Sequence, residues 1–305
     1  MIGVIHYAYG APTSVDDVPA YFSHILGGKP VPPPMLKKIV AQFKQPGYAD
    51  FIASNTQRIA KGLTTLLNDR FEEEVKVYTA YKHTVPYIPT TVEQALADGC
   101  TTIVTLPINP IFSATGAGAF HEEVAQLLEG KDVELVQVKD WNTHEDIVNV
   151  YADRVSRAYN WLSADVREDA YVFFTVHSQP INPEGNVPYV PQYEALAAAI
   201  AEKAGIANYA ATYRSSGGKA NWLAPDVKDA IREKFEQGSR AFVTCELLSL
   251  SADVESFIEI GSECQEVCKE LGADFVLAEF PGDSFDTVYA LANIAEQYIK
   301  QAVTV

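Results

Sequence analysis

The sequence predicts an α/β protein of two similar doubly wound, Rossmann-like domains, each with a parallel four-stranded sheet, with a cleft between them. Three observations lead there. Short β-rich runs alternate with longer helical patterns along the 305 residues, the order expected of parallel sheets built by right-handed crossovers. Several runs, such as Val-Phe-Phe-Thr-Val at 172–176, are apolar almost throughout, which suits strands covered on both faces. Eight such runs divide four and four, and each half opens on a strand that enters a turn carrying a polar aromatic or His and then a Pro: HYAYGAP in the first half and TVHSQP in the second.

In chain order, strands are expected at Ile2–Ala8, Val75–Ala80, Thr102–Leu106, Glu134–Val138, Tyr171–Val176, Tyr209–Tyr213, Ala241–Cys245 and Asp274–Ala278. Helical patterns lie at Asp50–Leu67, Ala117–Leu128, Glu145–Leu162, Gln192–Lys203, Pro225–Gln237, Ala252–Leu271 and Ser284–Gln301. At ~100–200 residues per domain the length allows two domains, taken as residues 1–145 and 146–305. The Pro-rich stretch Gly27–Pro34 reads as a loop long enough to shape a cleft lip.

Composition narrows the function. Forty Asp and Glu against 23 Lys and Arg give a net charge of −17. Phosphate contacts need clustered basic residues, so nucleic acid is not an expected partner. Anionic membrane surfaces are disfavoured for the same reason, whereas a cationic or metal substrate is compatible. No apolar run approaches the ~18 residues of a membrane span. The opening MIGVIHYAYGAP lacks the basic segment of a signal peptide. Cys100, Cys245, Cys264 and Cys268 are too few and scattered for a disulfide framework. A reducing cytoplasm is the expected compartment.

Familiar motifs are missing. There is no G-x-G-x-x-G after the first strand and no G-x-x-x-x-G-K-[ST], so no nucleotide is expected. G-x-S-x-G is absent, which removes an α/β-hydrolase. His121-Glu122 opens like H-E-x-x-H, but no second His follows.

What remains gathers at the carboxyl ends of strands, where ligands of such sheets bind. His177 directly follows an apolar strand, and an imidazole, with an ordinary pKa near ~6.5, suits proton transfer around neutral pH. On Ala252–Leu271, Glu255, Glu259 and Glu263 recur every four residues, a row of about 12 Å on an ideal helix. Like charges at that spacing cost roughly 0.2–0.5 kcal/mol per pair. A solvated face or a bound cation would each accommodate them, and carboxylates are hard ligands for divalent ions. On an ideal helix the row lies opposite the apolar face of Val254, Phe257, Ile258, Cys264 and Leu271. Tyr7 and Tyr9 bracket the end of the first strand, and Lys82-His83 ends the second.

Five segments in order resemble the ferrochelatase family, most closely the coproporphyrin ferrochelatases of Gram-positive bacteria. Tyr9-Gly10-Ala11-Pro12 resembles Y-G-T-P, and Lys82-His83-Thr84-Val85-Pro86-Tyr87 resembles K-H-x-x-P-F/Y. His177-Ser178-Gln179-Pro180 resembles H-S-L-P. Ser215 through Gly218, with Trp222-Leu223-Ala224-Pro225-Asp226-Val227, resembles Q-S-x-G…W-L-x-P-D-V. Ala252-Asp253-Val254-Glu255, with Glu259 and Glu263, resembles D-H-L-E-x-L-x-D/E-x-x-x-E.

The resemblance implies insertion of Fe²⁺, as substrate, into a porphyrin (coproporphyrin III or protoporphyrin IX) in haem biosynthesis. It assigns catalysis and metal contact to His177 and Glu255, a metal path to Glu259 and Glu263, and substrate contacts to Tyr9, Lys82, His83 and Trp222. It also implies a π-type widening that would aim the Glu row, and a transient haem-acceptor protein as partner. No iron–sulfur cluster is expected, because the cysteine spacing matches none. Departures fall at the propionate-holding positions. Leu26, Gly27 and Gln42 replace arginines, and Pro46-Gly47-Tyr48-Ala49-Asp50-Phe51 replaces G-G-x-S-P-L. Arginine is the natural bidentate partner of a carboxylate, so a chelatase for another tetrapyrrole, an enzyme removing iron from haem, and a non-catalytic haem-binding protein all stay open.

Overall fold

The computed structural model describes residues 1–44, 51–182, 187–216 and 220–303. The motif positions Pro46 through Asp50, with Gly217 and Gly218, lie outside the described residues. The elements run β1 (Ile2–Ala8), α1 (Val18–Ile25), α2 (Pro33–Phe43), α3 (Phe51–Asn68), β2 (Val75–Tyr81), α4 (Ile88–Ala97), β3 (Thr102–Pro107), α5 (Ala119–Leu128) and β4 (Glu134–Gln137). They continue with α6 (Glu145–Trp161), β5 (Tyr171–His177), α7 (Tyr189–Ala204), β6 (Tyr209–Arg214), α8 (Val227–Glu236), β7 (Ala241–Glu246), the helical turn α9 (Val254–Ser256), α10 (Glu263–Leu271), β8 (Asp274–Leu277) and α11 (Phe285–Val303). All eight expected strands form. The unexpected helices α1, α2 and α4 each begin with proline in the first turn. Proline reads as a loop signal in sequence, yet its fixed φ and missing N–H suit that position.

The strands make two parallel four-stranded sheets, ordered β2-β1-β3-β4 and β6-β5-β7-β8. The first strand of each set is central, which explains its continuous apolar run: every residue of β1 is buried. The duplication extends into detail. Tyr81 at the end of β2 bridges in parallel to Tyr87, and Tyr213 near the end of β6 bridges in parallel to Asp226. A π-helical segment follows the third strand of each set, at Ala114–Gly118 and at Phe257–Ser262.

The chain forms two compact units that are not continuous halves. One contains Met1–Ile108, Thr115–Lys139 and Gly282–Val305; the other contains Asn109–Ala114 and Asp140–Pro281. A cut at residue 145 separates the two sheets, but it leaves α11 with the wrong one. This helix packs on α3, β3 and β4. Gly62 permits the approach, since a Cβ there would lie 2.8 Å from Cγ1 of Val288. Arg70 Nη1 then donates to Asn293 Oδ1 and Glu296 Oε2, at 2.8 and 2.9 Å.

The first unit's core stacks Tyr7 on Phe120, ring centres 4.2 Å apart, among Ile5, Tyr78, Ile88, Val92, Ile103 and Val124. The second unit buries Phe173, Phe242, Val227, Ile231, Ile260 and Cys264 together. Fully burying such a side chain contributes about 1.5–3 kcal/mol. All four cysteines are buried free thiols. No helix among the described residues is long and apolar enough to cross a membrane.

Two core histidines set an acid limit on stability. His6 is completely buried and its pKa falls to about 4 through burial, opposed by the Leu106 carbonyl. His121 also falls to about 4, through burial and then the charge of Lys139. Unfolded histidines titrate near ~6.5, so between that pH and about 4 the unfolded chain binds more protons and stability drops as pH drops. Urea unfolding from pH 7.5 to 5 should show this fall. His6→Gln should make it shallower by about 1 kcal/mol per pH unit, each fully titrating group contributing at most ~1.4; an unaltered slope would contradict the assignment.

Candidate active site

β5 ends on His177, whose register partner is Arg214 at the end of β6. The His177 backbone is held by the Tyr189 hydroxyl, which donates to its carbonyl at 2.7 Å. The imidazole Nδ1 lies 2.5 Å from the Ser178 carbonyl, so Nδ1–H is the donor there and Nε2 is the acceptor of the neutral ring. Nε2 in turn lies 3.5 Å from Glu255 Oε2. That nitrogen can take up a proton or meet a metal ion, and its protonated form donates toward Glu255. Trp222 sits 6.5 Å away, ring centre to ring centre. An antiparallel bridge between Pro180 and Trp222 brings it there.

Glu255 stands in the first turn of α9. Asp253 starts that turn with a reciprocal cap: Ser256 N–H donates to Asp253 Oδ1 at 2.7 Å, and Asp253 N–H donates to Ser256 Oγ at 3.0 Å. The backbone then widens into the π-helical segment Phe257–Ser262 before tightening into α10. Thr244 Oγ1 donates to the Ile260 carbonyl at 2.7 Å. Gly261 lets Leu277 lie close, since a Cβ there would be 3.2 Å from Leu277 Cδ2. The widening expected from the resemblance is therefore present, and Ala252–Leu271 is not one ideal helix.

Each carboxylate of the row has its own partner. Glu255 meets His177 and Arg214, Glu259 Oε2 accepts from Ser215 Oγ at 2.8 Å, and Glu263 pairs with Lys228. Ser215 adopts φ 60°, a left-handed conformation uncommon for a residue with a Cβ. Among the described residues no three His, Cys, Asp or Glu side chains converge as a ready metal cage; the four residues form a series rather than a shell. Their electrostatics diverge. Burial works against charge on Glu255, but the bond to His177 and the Arg214 charge outweigh it and hold the carboxyl down at about 2. Burial pushes Glu259 up, offset in part by Ser215 and Arg214.

Arg214, Glu246 and Asp253 escaped the sequence reading of the site. The Arg214 guanidinium, 2% exposed, donates to Glu246 at 3.1 Å, Asp253 at 3.1 Å and Glu255 at 3.3 Å. Burial alone would lower its pKa, but Asp253, Glu246 and Glu255 raise it. Burial raises Glu246, against the Arg214 charge. The signal was available: Arg214 and Glu246 stand at strand carboxyl ends, as His177 does. Asp253, a departure from the resembled D-H-L-E, thereby has a double contact, to helix cap and guanidinium.

In the other unit Tyr9, Lys82 and His83 come together at the ends of β1 and β2. Lys82 N–H donates to the Ala8 carbonyl and His83 N–H to the Tyr9 carbonyl, at 3.2 and 3.1 Å. Lys82 Nζ lies 5.6 Å from the Tyr9 ring centre and donates to the Thr115 carbonyl of the first π segment. His83 presents its ring against Tyr9, centres 4.5 Å apart, and its Nδ1 is 2.7 Å from Nδ1 of His24. His24 stacks on Tyr87 at 5.4 Å, a contact sequence alone did not reveal. Burial, then Lys82 and His24, push the His83 pKa down to about 4. Tyr9 is 41% exposed.

Comparisons with known proteins identify the family and the fold. The Ferrochelatase family profile matches residues 1–299. The chain is 31% identical over 301 residues to the coproporphyrin III ferrochelatase of Bacillus subtilis strain 168, covering 96% of each. It is 29% identical over 307 residues to the coproporphyrin III ferrochelatase of Oceanobacillus iheyensis, covering 99% of this chain and 98% of that one. Among solved structures, the sirohydrochlorin chelatase SirB from Bacillus subtilis subspecies spizizenii in complex with cobalt superposes with a TM-score of 0.60 at 12% identity, over 98% of this chain and 96% of that one. SirB from Bacillus subtilis with Fe³⁺ gives 0.58 at 14% identity, over 99% and 95%; both share the fold. With the family profile matched over nearly its full length, the chain belongs to the ferrochelatase family.

Proposed function

We propose that the chain is a porphyrin metal chelatase that inserts Fe²⁺ into coproporphyrin III or protoporphyrin IX in haem biosynthesis. The observation that carries this reading is His177 Nε2 facing the Glu255 carboxylate at 3.5 Å at the end of a central strand, in a chain matched by the Ferrochelatase profile. Metallation removes two N–H protons from the ring as a partly dehydrated Fe²⁺ enters. His177 Nε2 accepts one of them while solvent water takes the other, or meets the metal while water takes both, and Glu255 stabilises the resulting charge. With its carboxyl held near 2, Glu255 is a poor proton acceptor and a good permanent anion.

Glu259 and Glu263 extend the negative charge away from His177 as a path for the incoming cation. Their present partners, Ser215 and Lys228, would have to yield to it. Tyr9, Lys82, His83 and Trp222 contribute to holding the macrocycle, Tyr9 and Trp222 through ring faces and Lys82 through charge. A ring held in a bent geometry nearer the transition state turns binding into rate. The compartment is the cytoplasm, in keeping with four free thiols, and the product passes to a transient haem-acceptor protein. Fe²⁺ is substrate, and the reading requires neither nucleotide nor iron–sulfur cluster.

Anaerobic mixing with Fe²⁺ and each porphyrin, followed by porphyrin absorbance, should show metallation, and His177→Ala should slow it about 10²–10⁴-fold, the usual contribution of a general base. Absence of metallation with every porphyrin tested, or full activity in His177→Ala, would refute the reading. Glu259→Gln combined with Glu263→Gln should raise the apparent KM for metal more than that for porphyrin. An unchanged metal dependence would return the row to a simple solvated face.

A further inference from the structure

We propose that Arg214 is a positioning residue which clamps the Glu255 carboxylate beside His177 and weakens the hold of that carboxylate on a divalent cation. The clamp is fixed from two sides. Arg214 Nε donates to Glu246 Oε2 at 3.1 Å, and Glu246 is itself immobilised, accepting from Thr175 Oγ1 at 3.0 Å and from Leu248 N–H at 3.3 Å. Nη2 donates to Asp253 Oδ2 at 3.1 Å, and Asp253 is locked by its reciprocal bonds with Ser256. The guanidinium plane is thereby set, and its remaining edge, Nη1, points at Glu255 Oε2 at 3.3 Å. That oxygen is the one 3.5 Å from His177 Nε2.

Two consequences follow from this shared oxygen. Glu255 is oriented whether or not His177 is charged, so the base is aligned before substrate arrives. A metal ion reaching Oε2 also meets a fixed positive charge one hydrogen bond away, on a guanidinium that is itself 2% exposed. Release of the metal to the ring is thus favoured over its retention by the carboxylate. A planar fork serves these three carboxylates from three separate nitrogens; an ammonium keeps the charge and loses that geometry.

The kinetic part of the inference rests on the chelatase reading, and the metal-binding part does not. Co²⁺ serves as the metal probe, titrated into the full chain by absorbance without porphyrin. Arg214→Gln should bind it about tenfold more tightly, Arg214→Lys should stay near the parent, and Glu255→Gln added to Arg214→Gln should remove the gain. In turnover, Arg214→Gln should lower kcat about 10–100-fold while the KM for metal falls severalfold and the KM for porphyrin holds. Arg214→Gln paired with Glu246→Gln removes the buried carboxylate left without its partner, and should show the same KM–kcat split in a well-folded protein. Equal or weaker Co²⁺ binding in Arg214→Gln would overturn the proposal. So would a kcat loss that merely tracks lost folded protein with an unchanged KM for metal. If the parent metallates no porphyrin, the chelatase reading falls and the Co²⁺ titration alone decides the role of Arg214.

Discussion

The strand ends of the second unit are organised around a cation kept out of water, Arg214. Arg214 ties the ends of β6 and β7 to the start of α9 through Glu246 and Asp253. Removing one partner from such a buried set typically costs about 3–5 kcal/mol, because the charges left behind have nowhere to go. The alternative of an all-apolar filling would often be as stable, so the cluster is better understood by what it orients than by what it adds to stability. It reaches solvent through Asp253 and Glu255, and Glu255 is the one in contact with His177.

The repeated fold assigns different chemistry to equivalent places. In one unit Tyr9, just past the central strand, lies beside Lys82 and His83, just past its neighbour; in the other His177 and Arg214 end paired strands side by side. In each, a π segment follows the third strand. One copy carries aromatic rings with an amine and a histidine pair; the other carries a base, a guanidinium and a row of carboxylates. Position at a strand's carboxyl end is set by the fold, whereas the reaction class is set by which side chains occupy it.

Most of the fold was legible because both signals were strong: continuous apolar strands and helices of ordinary period. The errors are physical. The strands β5, β6 and β7 run one residue beyond the apolar pattern, onto His177, Arg214 and Glu246. Those final residues belong to the ladder and to the site at once, and opposite charge makes the burial of Arg214 and Glu246 tolerable. The Glu row was visible as a spacing, but an ideal 3.6-residue period aims it at solvent. Only the π segment, whose extra residue per turn leaves no mark in a hydropathy pattern, assigns Glu259 to Ser215. His24 meeting His83 depends on α1, which its proline concealed.

The return of α11 to the first sheet has a consequence for how the protein is made. The unit built mainly from residues 1–139 lacks its packing partner for α3, β3 and β4 until residues 282–305 have been synthesised. Domains generally fold as units during synthesis, in the order in which their parts become available. Here that order is inverted: the unit encoded second holds all its strands and helices first, and the unit encoded first is completed last. During that interval its unfinished surface, including the face around Gly62 that awaits Val288, is the part of the nascent chain most in need of protection from aggregation.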